Sequence, residues 1–287
     1  MREIMFHVEP IVHTLVLAKT KDYLVTGESF EVHLDPVSQI AQTVPAPSPE
    51  KLTHYYASEE YISHGNQKRG WIDHLYAFVQ HIMLKQKERW LSKYVKETKR
   101  YLDFGCGTGA LVYHLNSNNW QAYGVEPSEK ARNFSLITDY LYPTLAEIPQ
   151  TNFDVIALWH VLEHLPNPAP YLSEFHMQLK QRGYLFLALP NFNSFDAGYY
   201  NDHWAAYDVP RHLWHFSAQG ITQLCDNCGF ELVASKGLFF DAFYVSYLSE
   251  LHKKSNAAFL KGICVGLWSN LKAYFSKEYS SKLYIFK

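Results

Sequence analysis

From Arg100 onward, short apolar runs alternate with stretches of helical periodicity. The segments "RYLDFG", "WQAYGVEP", "FDVIALWH" and "GYLFLALP" are each brief and almost continuously apolar, as strands covered on both faces of a parallel sheet are. Between them, "TGALVYHLNSN", "SEKARNFSLITDY" and "PAPYLSEFHMQL" place apolar residues three and four apart, which predicts helices. Strand and helix in regular alternation define an α/β domain. Near the C-terminus "GFELVASKGLF" and "KLYIFK" predict a closing pair of strands.

The preceding residues follow another pattern. "VHTLVLAK" and "SFEVHL" predict strands, and the Pro-rich "VPAPSPE" breaks the chain after them. Ser48 then offers an N-cap with Pro49 at the first helical position. A longer helix follows, with an apolar stripe through Leu75, Phe78, Val79, Ile82 and Met83. The expected organisation is an extension and helical cap over residues 1–98 and an α/β domain over 99–287. The stretch "FLKGICVGLWSNLKAYF" is amphipathic and is expected to pack as core or as a pocket cover, with a membrane surface as the alternative.

Composition narrows the class. A chain of 287 residues, 47% hydrophobic and 19% charged, has the make-up of a globular protein. A formal net charge of −2 argues against nucleic acid as the main partner, since phosphate binding needs clustered Lys and Arg. Four scattered cysteines, Cys106, Cys225, Cys228 and Cys264, do not make a disulfide framework. No apolar leader opens the sequence, and no run approaches the ~20 apolar residues a membrane span requires. The expectation is a cytoplasmic protein without stable membrane insertion.

Two motifs carry chemistry. His160-Val-Leu-Glu163-His164 matches H-x-x-E-H, a zinc-peptidase signature. It follows a predicted strand directly, however, instead of lying within a long helix, and no third zinc ligand stands near it in sequence. The second motif is "YLDFGCGTG", where Gly105, Gly107 and Gly109 join a strand to a helix. Such a loop lets backbone N–H groups approach a polar ligand at a helix N-terminus. The next strand ends at Glu126, where a carboxylate can accept both hydroxyls of a ribose. The spacing is G-x-G-x-G and not the G-x-G-x-x-G of nicotinamide and flavin proteins, and no G-K-[ST] follows.

"LDFGCGTG" followed by "GVEPS" resembles the cofactor motif of class I S-adenosylmethionine-dependent methyltransferases, with ordered similarity from Arg100 to Phe286. The resemblance implies a Rossmann-like, seven-stranded sheet with helices on both faces, S-adenosylmethionine as methyl donor and a small-molecule acceptor. It places Asp103, Gly105, Cys106, Gly107, Gly109, Glu126, Pro127, Leu145, Trp159 and His160 at the cofactor. "FDVIALWHVLEHLPNP" becomes the fourth strand and the active-site wall behind it. In the ubiquinone-pathway O-methyltransferases a similar segment is associated with a divalent metal. Glu163 and His164 match that pattern, but His160 stands where it has another acid, so no metal is expected.

"HWAAYDVPRHLWHFS" resembles a segment that folds over the active-site mouth in a subgroup of these enzymes. Trp204, Tyr207 and Arg211 are the expected substrate contacts, and His160, His212 and His215 the expected bases, in that order. A histidine near its ordinary pKa of about 6.5 suits proton removal from a hydroxyl or an acidic carbon. Cys225 and Cys228 lie in a helical pattern stopped by Gly229 and are expected to be structural. An inactive cofactor-binding scaffold and a nicotinamide-dependent oxidoreductase are the competing functions.

Overall fold

The computed structural model describes residues 14–56, 71–97, 99–135 and 137–287. Three antiparallel strands come first, β1 (Leu15–Lys21), β2 (Ser29–Asp35) and β3 (Ile40–Val44), followed by helices α1 (Pro49–Tyr55) and α2 (Trp71–Tyr94). The alternating part then runs β4 (Arg100–Phe104), α3 (Ala110–Asn116), β5 (Gln121–Val125), α4 (Glu129–Asn133), β6 (Leu141–Tyr142), β7 (Phe153–Trp159), α5 (Pro168–Gln178) and β8 (Leu179–Pro190). Helix α6 (Phe195–Tyr200), strand β9 (Trp214–Phe216), helix α7 (Ala218–Asn227) and strand β10 (Leu232–Gly237) follow. A helical hairpin, α8 (Asp241–His252) and α9 (Ala258–Ser276), precedes the last strand, β11 (Ser281–Phe286). The helix expected across Leu75, Phe78 and Val79 is present as α2, but the side chains of residues 71–79 lie outside the described set.

The main sheet has seven strands in the order β10-β11-β8-β7-β4-β5-β6, parallel except for β11, which runs against both neighbours. This is the expected Rossmann-like, seven-stranded sheet, and the structure adds that its last strand is reversed. Alternation along each strand explains the two helical layers. Leu102, Ile156 and Leu185 share one buried face with Leu172 and Phe175 of α5 and Ile221 and Cys225 of α7. Tyr101, Val155 and Phe186 point the other way, against Leu91 of α2 and Leu111, Val112 and Leu115 of α3.

The N-terminal region is built into this body. α2 supplies part of one helical layer, and β3 pairs with β9 to complete a four-stranded sheet, β1-β2-β3-β9. Phe30, Val32 and Ala41 of that sheet share a third core with Trp204 and Tyr207. β3 and β9 are missing from the sequence expectations because "IAQTV" and "WHF" are too short and mixed to carry a strand pattern.

Candidate functional site

Strand order reverses beside β4, with β5 on one side and β7 on the other. In an open parallel sheet this leaves a crevice at the carboxyl edge. The glycine loop lies there. Gly105 has φ 78°, and a Cβ on it would stand 2.5 Å from Val161 Cγ2, so only glycine permits the loop to press on the segment after β7. At Gly107, φ is 56° and a Cβ would meet nothing within 4 Å: this side of the loop is open. Gly109 ends the loop as the left-handed N-cap of α3.

Glu126, just past β5, accepts N–H groups from Gly107 at 3.0 Å and from Ser128 at 2.9 Å, one on each carboxylate oxygen. A carboxylate offers about four lone-pair sites. Two therefore remain, on the open side of the loop. Pro127 and Leu145 follow the carboxyl ends of β5 and β6. Cys106 is packed under the loop, its Sγ where a Cβ on Gly124 would stand, and burial pushes its thiol far up, so it acts as filler and not as a nucleophile.

Asp103 is buried at the end of β4. The Trp159 indole donates to the Tyr101 hydroxyl at 3.0 Å, and that hydroxyl donates to Asp103 at 3.1 Å. Burial raises the Asp103 carboxyl to about 6, against the opposing pull of Lys87 and of the Tyr101 hydrogen bond. Lys87, from α2, lies 4.1 Å over the Trp159 ring, and burial lowers its pKa while Asp103 and Asp241 act to raise it. No motif announces Lys87. Its sequence neighbourhood reads as a solvated helix face, and only tertiary packing brings it to the crevice.

Beyond β7 the chain turns abruptly at His160, whose φ is 58°, a backbone region that non-glycine residues seldom enter. His160 Nε2 lies 3.1 Å from Asp241 at the start of α8, and Nδ1 lies 3.5 Å from Glu163. Burial works against the charged ring, but these two carboxylates prevail and raise it to about 10. Both ring nitrogens of His160 thus face carboxylates that favour the charged ring, which argues against the base role that the sequence suggests. Asp241 is the second residue without a sequence signal.

Glu163 and His164 fall in a short 3-10 turn, Leu162–His164, and not on a helix. This geometry removes the zinc-peptidase reading. Glu163 is fully buried, and among the described residues neither carboxylate oxygen has a hydrogen-bond partner. Burial pushes its carboxyl up, but the His160 contact and the charges of the neighbouring histidines outweigh this and hold it low. His212 presents Nε2 to Glu163 and to Asp208, each at 4.0 Å, while its Nδ1 donates to the Ala206 carbonyl at 2.9 Å. A small cavity of about 10 Å³, lined by Glu163, His212, His215, Trp204 and Phe216 among others, lies here. That is about the space one water or one ion fills.

The rest of the histidine-rich segment is committed internally. Arg211 is buried and donates to Asp22 at 3.1 Å, to Asp208 at 2.6 Å and to the Tyr55 carbonyl at 3.3 Å. Trp204 is buried, its indole donating to Asp196 at 2.8 Å, and Tyr207 is packed edge-on against it. These three therefore brace the N-terminal sheet where substrate contacts were expected. His215 is also corrected: Thr43 donates its hydroxyl to the His212 carbonyl at 2.6 Å and so accepts from His215 Nε2 at 3.0 Å. Burial, with the charge of His212, lowers His215 to about 3, leaving a neutral, structural ring. Cys225 and Cys228 are free, and Gly229 at φ 90° stops α7 behind them, as expected.

An α/β methyltransferase sheet with a glycine loop and a carboxylate at the crevice defines the class. The chain belongs to the family described as "Methyltransferase domain", whose model matches residues 76–235, a stretch that begins inside α2. Among curated proteins it is similar to the ubiquinone biosynthesis O-methyltransferase of Bradyrhizobium diazoefficiens, 32% identical over 103 residues, or 33% of this chain and 41% of that protein. The protein of the same name from Photobacterium profundum is 31% identical over 107 residues, 33% of this chain and 46% of that one. The chain spans less than half the length of these two relatives. That of Idiomarina loihiensis is 25% identical over 169 residues, 53% of this chain and 70% of that protein.

Proposed function

We propose that this chain transfers the methyl group of S-adenosylmethionine to a small, protic organic acceptor. The observation that carries this reading is the crevice itself: a loop open at Gly107 facing a Glu126 carboxylate with unused lone pairs. Net charge of −2 speaks against nucleic acid as the acceptor, and four free cysteines fit a reducing, cytoplasmic setting. The methyltransferase domain takes in residues 99–287, and the 1–98 extension closes over it through α2 and β3.

S-adenosylmethionine, when bound, supplies an electrophilic methyl carbon on a sulfonium centre. Glu126 holds the ribose hydroxyls, the open face of Gly107 admits the chain beyond the ribose, and Asp103 offers negative charge to the amino group. Pro127 and Leu145 flank the base. The protein's main task is alignment of nucleophile, methyl carbon and sulfur with water excluded. The acceptor proton passes to His212 Nε2, whose lone pair is left free because Nδ1–H is held by Ala206. Glu163, 4.0 Å away, then stabilises the imidazolium. His160 lies between Asp241 and Glu163 and helps to fix the carboxylate that faces His212.

One observation favours a second, metal-assisted form. Ligand atoms of Glu163, His164 and His212 lie within 4.8 Å of one another, around a carboxylate that has no hydrogen-bond partner among the described residues. Two imidazoles and a carboxylate suit a divalent cation such as zinc, and these residues would hold it and polarise the acceptor oxygen. Labelled methyl transfer to a panel of phenols and catechols tests both forms. His212→Ala should lower kcat by about 10²-fold or more with cofactor affinity unchanged. Activity lost to a chelator and restored by zinc selects the metal form. Tight cofactor binding without turnover on any acceptor leaves a scaffold.

A further inference from the structure

The hairpin of α8 and α9 is folded with its small residues inward and its large ones outward. On α9, Gly262, Gly266, Ser269 and Ala273 are buried. A Cβ on Gly262 would come 2.7 Å from the Tyr247 Cα, and one on Gly266 2.9 Å from the Phe243 Cα, so the two helices touch backbone to backbone. Helical spacing places Leu260, Leu267 and Leu271 on the opposite side, joined by Trp268 and Phe275. Each of these five leaves half or more of its surface exposed, from 50% at Trp268 and Leu271 to 76% at Phe275. A helix on an aqueous surface has the reverse arrangement, and so large a contiguous apolar face marks an interaction site. Core or lid packing was expected for this stretch; it packs through its small side, and among the described residues its bulky side is left half or more exposed.

Charge identifies the partner. From residue 251 to residue 277 the chain carries Lys253, Lys254, Lys261, Lys272 and Lys277 and no Asp or Glu. Lys261 and Lys272, eleven positions apart, fall on one flank of the apolar face. Lys272 lies 5.6 Å over the Trp268 ring and Lys277 5.1 Å over the Tyr274 ring, pairings of aromatic and cation that suit the boundary between headgroups and acyl chains. The acids nearest the hairpin are committed elsewhere: Glu250 is buried, Asp241 faces His160, and Glu278 accepts from Asn191. A symmetric dimer through this face would bring lysines together with no acid to answer them. No helix among the described residues is long and apolar enough to cross a bilayer.

We propose that the outer face of α9 docks reversibly on an anionic lipid surface, Leu260, Leu267, Trp268 and Leu271 entering the headgroup boundary and Lys261, Lys272 and Lys277 binding the phosphates. The proposal is independent of the acceptor's identity. Flotation of the full chain with vesicles of phosphatidylcholine, alone or mixed with phosphatidylglycerol, tests it. Binding should be at least about tenfold tighter to the mixed vesicles and weaken with added salt. Lys261→Glu with Lys272→Glu should abolish that preference, and Leu267→Glu with Leu271→Glu should abolish binding to both vesicle types. Both double variants should retain S-adenosylhomocysteine affinity and melt close to the wild type, because the exchanged side chains are exposed among the described residues, Lys261 bonding Ser255 and Lys272 lying over Trp268 on the hairpin's own surface. Wild-type protein that does not float with the mixed vesicles overturns the proposal. So does a wild-type dimer that the leucine variant turns into a monomer, or lysine variants that float as the wild type does.

Discussion

The glycine loop and the histidine-rich segment both border the stretch after β7, one at Val161 and the other at Glu163, yet they treat their polar groups in opposite ways. Glu126 accepts one hydrogen bond on each carboxylate oxygen, from Gly107 and Ser128, which leaves open space at Gly107 and spare lone pairs on the acid. Arg211, Trp204 and His215, in the chemically denser segment, have given their donors to Asp22, Asp196 and Thr43. Density of reactive residue types is therefore a poor guide to a ligand site. Unspent hydrogen-bonding capacity is the better one, and by that measure His212, with Glu163 beside it, is the exception in the second region.

The comparison fails first, and by the largest margin, if Arg211 proves dispensable for folding. Arg211→Met takes the cation from the buried Asp22 carboxylate, which keeps its hydrogen bonds from Leu24, Val25 and Thr26, and breaking a buried pair from one side costs up to about 3–5 kcal/mol. Urea unfolding should show that loss, while the cofactor affinity of the folded fraction stays as it was; reduced affinity at full stability would return Arg211 to the ligand. Glu126→Ala should do the opposite, weakening S-adenosylhomocysteine binding by roughly 10- to 100-fold in calorimetry, the net loss of one charge-assisted hydrogen bond at about 1.5–3 kcal/mol. A melting temperature that falls further than the affinity would break the contrast from the other side.

The smallest effect sharpens the comparison within the cofactor half. Asp103 titrates near 6 in place of 3.8 because burial penalises its charge. With the folded value raised, its contribution to stability is most favourable below 3.8 and is lost as pH rises through about 6. A cationic ligand reverses the preference, since it needs the ionised form. Cofactor affinity should thus fall as pH drops below about 6, by at most about tenfold per unit, and Asp103→Asn should flatten the profile. A profile that is level from pH 7 to 5 in the wild type removes Asp103 from the amino-group site.

The parts of the site that were legible are those written within one local unit. Strand, glycine loop, helix and the acid at the end of β5 follow one another in the chain, so their spacing encodes their geometry. Lys87 and Asp241 arrive from α2 and α8, far away in sequence, and nothing adjacent to them records the meeting. His160 was legible as a position but not as a charge state, because its proton is fixed by Asp241. Arg211 and Trp204 misled because a buried brace and a substrate clamp draw on the same residue types. On α9 the period of three to four was visible, but periodicity defines two faces without saying which one is inside. The close backbone contacts at Gly262 and Gly266 decide that.

Asp196 shows what the hairpin costs the fold in inheritance. Its buried carboxylate accepts from Trp204 of the segment after β8, from Ser269 of α9 at 2.6 Å and from Ser280 at the threshold of β11 at 2.7 Å. Gly237 and Lys282 are paired neighbours in the ladder, so by backbone distance alone the hairpin could be cut out and the ends rejoined by a short turn. The shared carboxyl group opposes it: excision removes Ser269 and Ser280 and leaves that buried group short of two donors. Brace, hairpin and closing strand are therefore tied together, and a chain that discards α8 and α9 must also change position 196.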